Sequence, residues 1–286
     1  MRYKELFAWM RERHSIYTKR AAGKPKPWTK DPILQQYRFC NVYRELDTVT
    51  QWINDNWRIT GINDPHLWFS MVVARLVNRP DTLDELTYNM FDMGKTGVTK
   101  WDAKEFLNDM RSRKAAGLKV FSGAYIVSTN GHAMDKAEYL AEHVLTPLWK
   151  ARKGIAPRHG DTLDRFHKRL MQHQGMGSFM AAQVVADMKY VEPLLSATDW
   201  RYWAASGPGS RRGLNWVCGF DPQSGWPENL WLDTMILLKE KIDPLVEKAG
   251  MPSLHMQDLQ NCLCELFKYV KVVEGLGKPR SNYPGV

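Results

Sequence analysis

Three groups of residues in the 286-residue chain have the types and spacing to handle an anionic substrate. The first is Leu170-Met171-Gln172-His173-Gln174-Gly175-Met176-Gly177-Ser178-Phe179-Met180-Ala181, running on to Val184 and Val185. Apolar residues keep helical spacing on both sides of the glycines, so the stretch reads as helix, tight turn, helix. Gly175 and Gly177 supply backbone freedom and close approach, and the amides that open the second helix at Ser178 form an anion site suited to phosphate. Gly-x-Gly alone reads as an ordinary turn; the flanking periodicity and the basic charge shift it toward contact with a DNA backbone, which positions the nucleic acid without reading its sequence.

The second group is Gly207-Pro208-Gly209-Ser210-Arg211-Arg212-Gly213-Leu214. Exposed amides in the turn and the guanidinium forks of Arg211 and Arg212 can hold phosphate or pyrophosphate oxygens. A plain surface loop fits the same residues. The third group is a pair of polar stripes. Arg38, Asn41, Glu45 and Thr48 recur at spacings of three, four and three, with Arg44, Asp47 and Gln51 beside them, and Asp258, Asn261, Glu265 and Lys268 align in the same way near the C-terminus. Taken alone, such stripes are solvated faces, and the i,i+3 pair Glu265–Lys268 adds only a few tenths of a kcal/mol. Gln183 and Asp187, one turn apart on the second hairpin helix, face either a cleft or solvent.

Helices must position these groups. Asp31-Pro32 and Asp64-Pro65 each set a capping carboxylate before a proline at the first helical position, so a helix is expected from both. After the first, Phe39, Val42, Tyr43, Leu46, Val49 and Ile53 form the buried stripe of one long amphipathic helix; similar stripes run through 67–77, 137–148 and 259–270. The run Val120 to Val127 fits a strand or a buried helical turn, and nothing else reads as sheet. The expected fold is all-α in two lobes, one from residues 1–62 and 196–286, the other from 63–195 and ending in the hairpin at about 161–190.

With 44% apolar residues the chain can bury a full core, and a formal charge of +9 favours a polyanionic partner while fitting a merely basic protein as well. Cys40, Cys218, Cys262 and Cys264 form no CxxC pair and the eight histidines no HExxH motif, so no zinc or iron–sulfur site is indicated and reduced thiols are expected. No apolar run is long enough for a membrane span, and Met1-Arg2-Tyr3-Lys4 opens no signal peptide; the protein is expected to stay in the cytoplasm where it is made. Twelve tryptophans allow some stacking on bases, although Trp68 and Trp101 read as core.

Asp199 lies 24 residues after Gly175 and precedes Trp200. This spacing resembles helix-hairpin-helix DNA glycosylases, in which an essential aspartate a little over twenty residues beyond the hairpin glycine faces a flipped nucleotide. The resemblance implies a two-lobed glycosylase-like fold with Asp199 in a catalytic role; capping the residues from Trp200 onward is the plain alternative. Further blocks narrow the likeness: Arg38-Phe39-Cys40-Asn41-Val42-Tyr43-Arg44-Glu45-Leu46-Asp47, Gly123-Ala124-Tyr125, the Gly207 to Leu214 stretch, and Cys264-Glu265-Leu266-Phe267-Lys268-Tyr269. Together they resemble the alpha-glutamyl/putrescinyl thymidine pyrophosphorylase family, which includes bacteriophage amino acid:DNA transferases and the helical domain attached to 5-hydroxymethyluracil DNA kinases.

That resemblance implies a flipped thymine-derived base whose methyl carbon carries pyrophosphate, displaced by an amine such as glycine, glutamate or putrescine. Asp199 would act as base, with Asp47 or Glu265 as substitutes, and Arg212, Arg211 and Arg44 would hold pyrophosphate. Arg38, Asn41, Lys268, Gln183 and Asp187 complete the implied substrate-binding set. No cofactor is evident; magnesium could assist without a dedicated site. The partners implied are DNA with activated 5-hydroxymethyluracil and an amino acid or polyamine. A kinase site within this chain is disfavoured because Gly94-Lys95-Thr96 is preceded by Asn89 where a phosphate loop needs glycine. A DNA glycosylase and a non-catalytic DNA-binding module are the competing functions.

Overall fold

The computed structural model describes residues 1–91, 99–123, 128–279 and 282. Helices in chain order are α1 (Tyr3–Ala21), α2 (Pro32–Gln36), α3 (Thr48–Ile53), α4 (Leu67–Val77), α5 (Pro80–Met90), α6 (Ala103–Ala115), α7 (Lys136–Tyr139), α8 (Thr146–Lys150), α9 (Arg152–Ile155), α10 (Leu163–Met171), α11 (Ser178–Met188), α12 (Pro208–Cys218), α13 (Glu228–Lys248) and α14 (Met256–Val273). Short 3-10 turns at Arg44–Leu46 and Leu194–Ser196 and π turns at Asn54–Arg58 and Leu140–Leu145 join some of them. Among the described residues there is no strand, only isolated bridges between Tyr37 and Asn282 and between Phe91 and Thr99, so the protein is all-helical. Residues 120–123 are irregular, and 124–127, with the Ala124-Tyr125 part of one block and the Gly94-Lys95-Thr96 run, lie outside the described residues.

The chain divides into two compact units, Met1–Asp47 with Arg201–Val286, and Thr48–Trp200. Residues 48–62 and 196–200, expected in the first lobe, fall in the second unit: Trp57 is fully buried there and its indole donates to Thr87 of α5 (2.9 Å). In the first unit α1 buries Leu6, Trp9, Met10 and Ile16, one face at three-to-four spacing, with Trp231, Met235 and Leu238 of α13 and Leu259, Leu263 and Leu266 of α14 in the same core. In the second unit every residue of α4 is buried, and its sequence is apolar except for Ser70 and Arg75; α11 packs against it.

Two helix starts illustrate the local chemistry. Asp31 caps α2 as expected, its Oδ1 accepting from the Ile33 and Leu34 amides (2.8 and 3.0 Å). Asp64 instead accepts from the His66 amide (2.8 Å) and the Thr99 amide (2.5 Å), tying a turn to a distant loop, and α4 begins only at Leu67. The stripe expected over 137–148 is one helical run broken by the Leu140–Leu145 π turn, which lies just before Pro147. Proline lacks an amide and crowds the carbonyl four residues back, and a π turn relieves both.

Candidate functional site

The long helix expected after Asp31 does not form: α2 stops at Gln36, and 37–43 run irregularly to the Arg44–Leu46 turn. The physical reason is that side chains take the backbone groups a helix would use. Glu265 Oε2 accepts from the Cys40 amide (2.8 Å), Asp47 Oδ1 from the Asn41 amide (2.8 Å), and Asp258 Oδ1 from the Arg44 amide (3.0 Å). Asn41 Nδ2 donates to the Leu46 carbonyl (2.7 Å). Arg38, Asn41, Glu45 and Thr48 accordingly share no helical face. Phe39, Val42 and Tyr43 are buried all the same, because the extended segment lies on α14.

α14 forms as expected and presents Asp258, Asn261, Glu265 and Lys268 on one face, toward this segment. Asn261 Nδ2 donates to the Asn41 carbonyl (3.4 Å), and Lys268 Nζ donates to Glu265 Oε2 (2.6 Å) and the Arg38 carbonyl (2.9 Å) while lying over the Phe39 ring (4.6 Å). Arg13, which sequence reasoning missed, completes the group: its guanidinium donates to the Phe39 carbonyl (2.9 Å) and to Asn41 Oδ1 (2.8 Å) and is 5% exposed. The signal was present, since Arg13 stands in the apolar stripe of α1 between Met10 and Ile16, where a charge must find a partner.

Asp47 is the chemically distinctive member. Desolvation raises its carboxyl to about 6, against the opposing Asn41 amide and the Arg44 and Arg13 charges, with Glu265 adding to the rise. Among the described residues no protein donor reaches its Oδ2. Glu265, by contrast, is 7% exposed and held by the Lys268 ammonium and a backbone amide. Burial and the neighbouring Glu265 also push the Cys264 thiol up to about 11, which makes it a poor nucleophile at neutral pH.

The Gly207 to Leu214 stretch is not a loop. Gly207 caps α12, Pro208 is its first residue, and Arg211 and Arg212 sit on its surface. Arg211 is engaged on three sides, donating to Ser206 Oγ (2.8 Å), the Trp226 carbonyl (2.6 Å) and Glu228 Oε2 (2.6 Å), so as observed it anchors the 206–228 connection rather than waiting for pyrophosphate. Arg212 makes one long contact, to Gln223 Oε1 (3.5 Å). The glycines have a packing role: a Cβ on Gly213 would collide with the Leu263 carbonyl and one on Gly209 with the Cys264 sulfur, so α12 and α14 touch backbone to backbone.

In the second unit the hairpin forms as a helix, turn and helix. Gly175 takes φ +79°, and any Cβ there would meet the Val144 methyls. His167 Nε2 lies 3.0 Å from the Ser178 carbonyl, joining α10 to α11, while Gly177, Met171 and Phe179 are exposed at the tip. Asp199 accepts through Oδ1 from the Leu163 amide (2.8 Å) and through Oδ2 from the Asp164 amide (3.0 Å). It therefore caps α10, the first hairpin helix, rather than residues that follow it in sequence. Trp200 holds it there, its indole donating to the Lys189 carbonyl (2.5 Å) and its own carbonyl accepting from Lys189 Nζ (2.9 Å).

Asp187 faces neither cleft nor solvent. It is fully buried in a bidentate pair with Arg75 of α4 (2.6 and 2.5 Å), whose guanidinium also reaches Thr50 Oγ1 (3.1 Å). Gln183 is half-buried one turn earlier. None of the twelve tryptophans is exposed: Trp9, Trp57, Trp68, Trp203 and Trp231 are buried, and Trp101, half-buried just before α6 rather than in a helical stripe, donates to Thr146 Oγ1 (3.0 Å). Among the described residues no group of His, Cys, Asp and Glu is arranged to hold a metal ion, and no helix is long and apolar enough to cross a membrane.

Asp47, Asn41, Arg44, Arg38, Glu265 and Lys268 are thus brought together within the first unit, joined by Arg13 and Asp258. Asp199, Gln183, Asp187 and the hairpin belong to the second unit, and Arg211 and Arg212 to the surface of α12. Comparison with known proteins bears on this arrangement. A 5-hmdU DNA kinase of Bacillus phage SP10 is 25% identical over 287 aligned positions, covering 90% of this chain and 43% of that protein, so the chain spans less than half the length of this relative. No solved structure matches. The family model for the helical domain of 5-hmdU DNA kinase matches residues 1–277, and the chain belongs to that family.

Proposed function

We propose that the chain acts in hypermodification of thymine-derived bases in phage DNA, transferring an amine or amino acid onto a 5-hydroxymethyluracil activated by pyrophosphate. The membership of the helical-domain family and the name of the phage relative support the broader reading. The observation that carries the finer one is the Asp47 carboxyl, raised to about 6 with Oδ2 open and Arg44 and Arg13 beside it. A base with that pKa is ionised at neutral pH yet still accepts a proton in the transition state.

The amine nitrogen attacks the exocyclic methylene carbon, the bond from that carbon to the pyrophosphate oxygen breaks, and the nitrogen's proton passes to Asp47. Arg44 stabilises the departing pyrophosphate, with Arg212 second in rank. Asp199 becomes a positioning residue for the hairpin, whose Gly175, Gly177 and Ser178 backbone is suited to hold a DNA phosphate. Incubating pyrophosphate-activated DNA with mixed amines and analysing nucleosides by mass spectrometry tests this. Amine-substituted nucleosides are expected with wild type and lost with Asp47→Asn; abasic sites instead would establish a glycosylase.

A second reading follows from length. Because the chain spans 43% of a relative named as a kinase, it also fits a DNA-presenting domain that works beside a kinase. Unmodified nucleosides together with salt-sensitive DNA binding would favour that reading.

A further inference from the structure

The second unit carries a groove that the hairpin and the transfer reaction leave unused. It has a volume of about 530 Å³ between the C-terminal half of α6 and the start of α7. Met110, Leu118, Val120, Phe121 and Ala137 give it an apolar floor, and Arg111, Lys114, Lys119 and Lys136 give it four cations against the single carboxylate of Asp135. Leu118 is 51% exposed, which leaves apolar surface open to an incoming group.

The groove is firmly built. Arg113 is buried beneath it and donates to the Lys119 carbonyl (3.2 Å) and to Asp81 Oδ2 (3.0 Å), with Glu85 as a further partner. Thr82 Oγ1 donates to the Val120 carbonyl (2.9 Å), and the Ser122 amide donates to the Val77 carbonyl (3.1 Å). These bonds tether the 118–122 segment to α5 and to the end of α4. Lys136 lies 4.1 Å from the Phe121 ring centroid, so a cation and an aromatic face are already paired in one wall. Lys114 pairs with Asp135 (2.6 Å) and Arg111 with Glu138 (3.6 Å), whereas the Lys119 ammonium has no partner among the described residues.

The geometry points to a binding site for an unpaired nucleic-acid strand, its phosphates on Lys119, Lys136, Lys114 and Arg111 and a base laid on Phe121 and Leu118. Four cations around an aromatic and aliphatic floor match a ligand that alternates anionic linkers with flat apolar rings. An acidic peptide would satisfy the cations but leave the floor uncovered. The site lies on the 118–122 segment and helix ends that the hairpin does not use.

Fluorescence anisotropy of the full chain with a short labelled oligothymidylate, across a salt series, tests the site. Each lost phosphate contact on a single strand lowers the slope of log affinity against log salt by about 0.7, so Lys119→Ala is expected to reduce it by that amount. Phe121→Leu keeps the packing volume and is expected to weaken binding about fivefold with the slope unchanged, as loss of stacking requires. Leu118→Ser, at an exposed position, gives the same reading where Phe121→Leu disturbs folding. Unchanged affinity and slope in Lys119→Glu, with Lys168→Glu beside the hairpin abolishing binding, would overturn the site, as would displacement of the labelled strand by oligoglutamate at the same charge concentration as by unlabelled oligothymidylate.

Discussion

Replacing Asp47 by asparagine separates its charge from its hydrogen bond, because an amide oxygen still accepts from the Asn41 backbone. The folded carboxyl keeps its proton up to about pH 6, whereas the ordinary carboxyl loses it near 3.8. Folding therefore takes up a proton between those values, and the wild type gains stability as pH falls through that window. Above it the folded state bears a desolvated charge. Asp47→Asn is expected to melt higher than wild type at neutral pH, with the gap closing by about pH 4, while turnover is lost; a gap independent of pH in thermal melts would refute the raised carboxyl. Wild-type kcat/KM should rise between about pH 5 and 7 as this carboxyl ionises. Asp199 behaves oppositely, since both its oxygens serve the start of α10. Asp199→Asn keeps one acceptor and is expected to lower stability by about 1–2 kcal/mol in chemical denaturation. Lost turnover at unchanged stability would return Asp199 to a catalytic role.

The elements explain why some of these residues were legible and others not. Helices with sustained apolar spacing, such as α4, α10, α11 and α14, follow from the sequence, and so does the backbone freedom at Gly175. The segment from Tyr37 to Asp47 has the same period, yet its amides are claimed by Asp47, Asp258 and Glu265, two of them more than two hundred residues away. Side chains that outcompete a helix from such distances leave no local signal. Gly-Pro-Gly is a turn signal and by itself suggests a phosphate-binding turn, whereas Gly209 and Gly213 are one helical turn apart in α12 and admit α14. Gly213→Ala meets backbone and is expected to destabilise by about 3 kcal/mol; Gly209→Ala meets a side chain, is expected to be milder, and should be largely recovered by adding Cys264→Ala. A double-mutant cycle by denaturation checks the coupling, and additive effects would show that the two helices do not meet there.

For the whole molecule, a charge of +9 is distributed so that buried cations such as Arg13, Arg75 and Arg113 serve the fold, while exposed ones, such as Lys119 and the surface-paired Lys168, face solvent where a polyanion can reach them. If four cations engage duplex phosphates, affinity should fall about a hundredfold between roughly 50 and 200 mM salt in a filter-binding or anisotropy titration. A flat salt response would remove nucleic acid as the partner of this charge. The chain builds its first unit from two ends and its second from the continuous stretch between them. Sequence by itself determined the helical class, the hairpin, the basic balance and the family likeness, because periodicity, glycine conformation and charge are properties of neighbouring residues. Only the tertiary structure decided that Asp199 caps α10, that Asp187 is locked to Arg75, and that Asp47 stands desolvated beside Arg13 and Arg44. Each of those roles depends on which distant donors and acceptors reach a carboxylate, and that is settled when the chain packs.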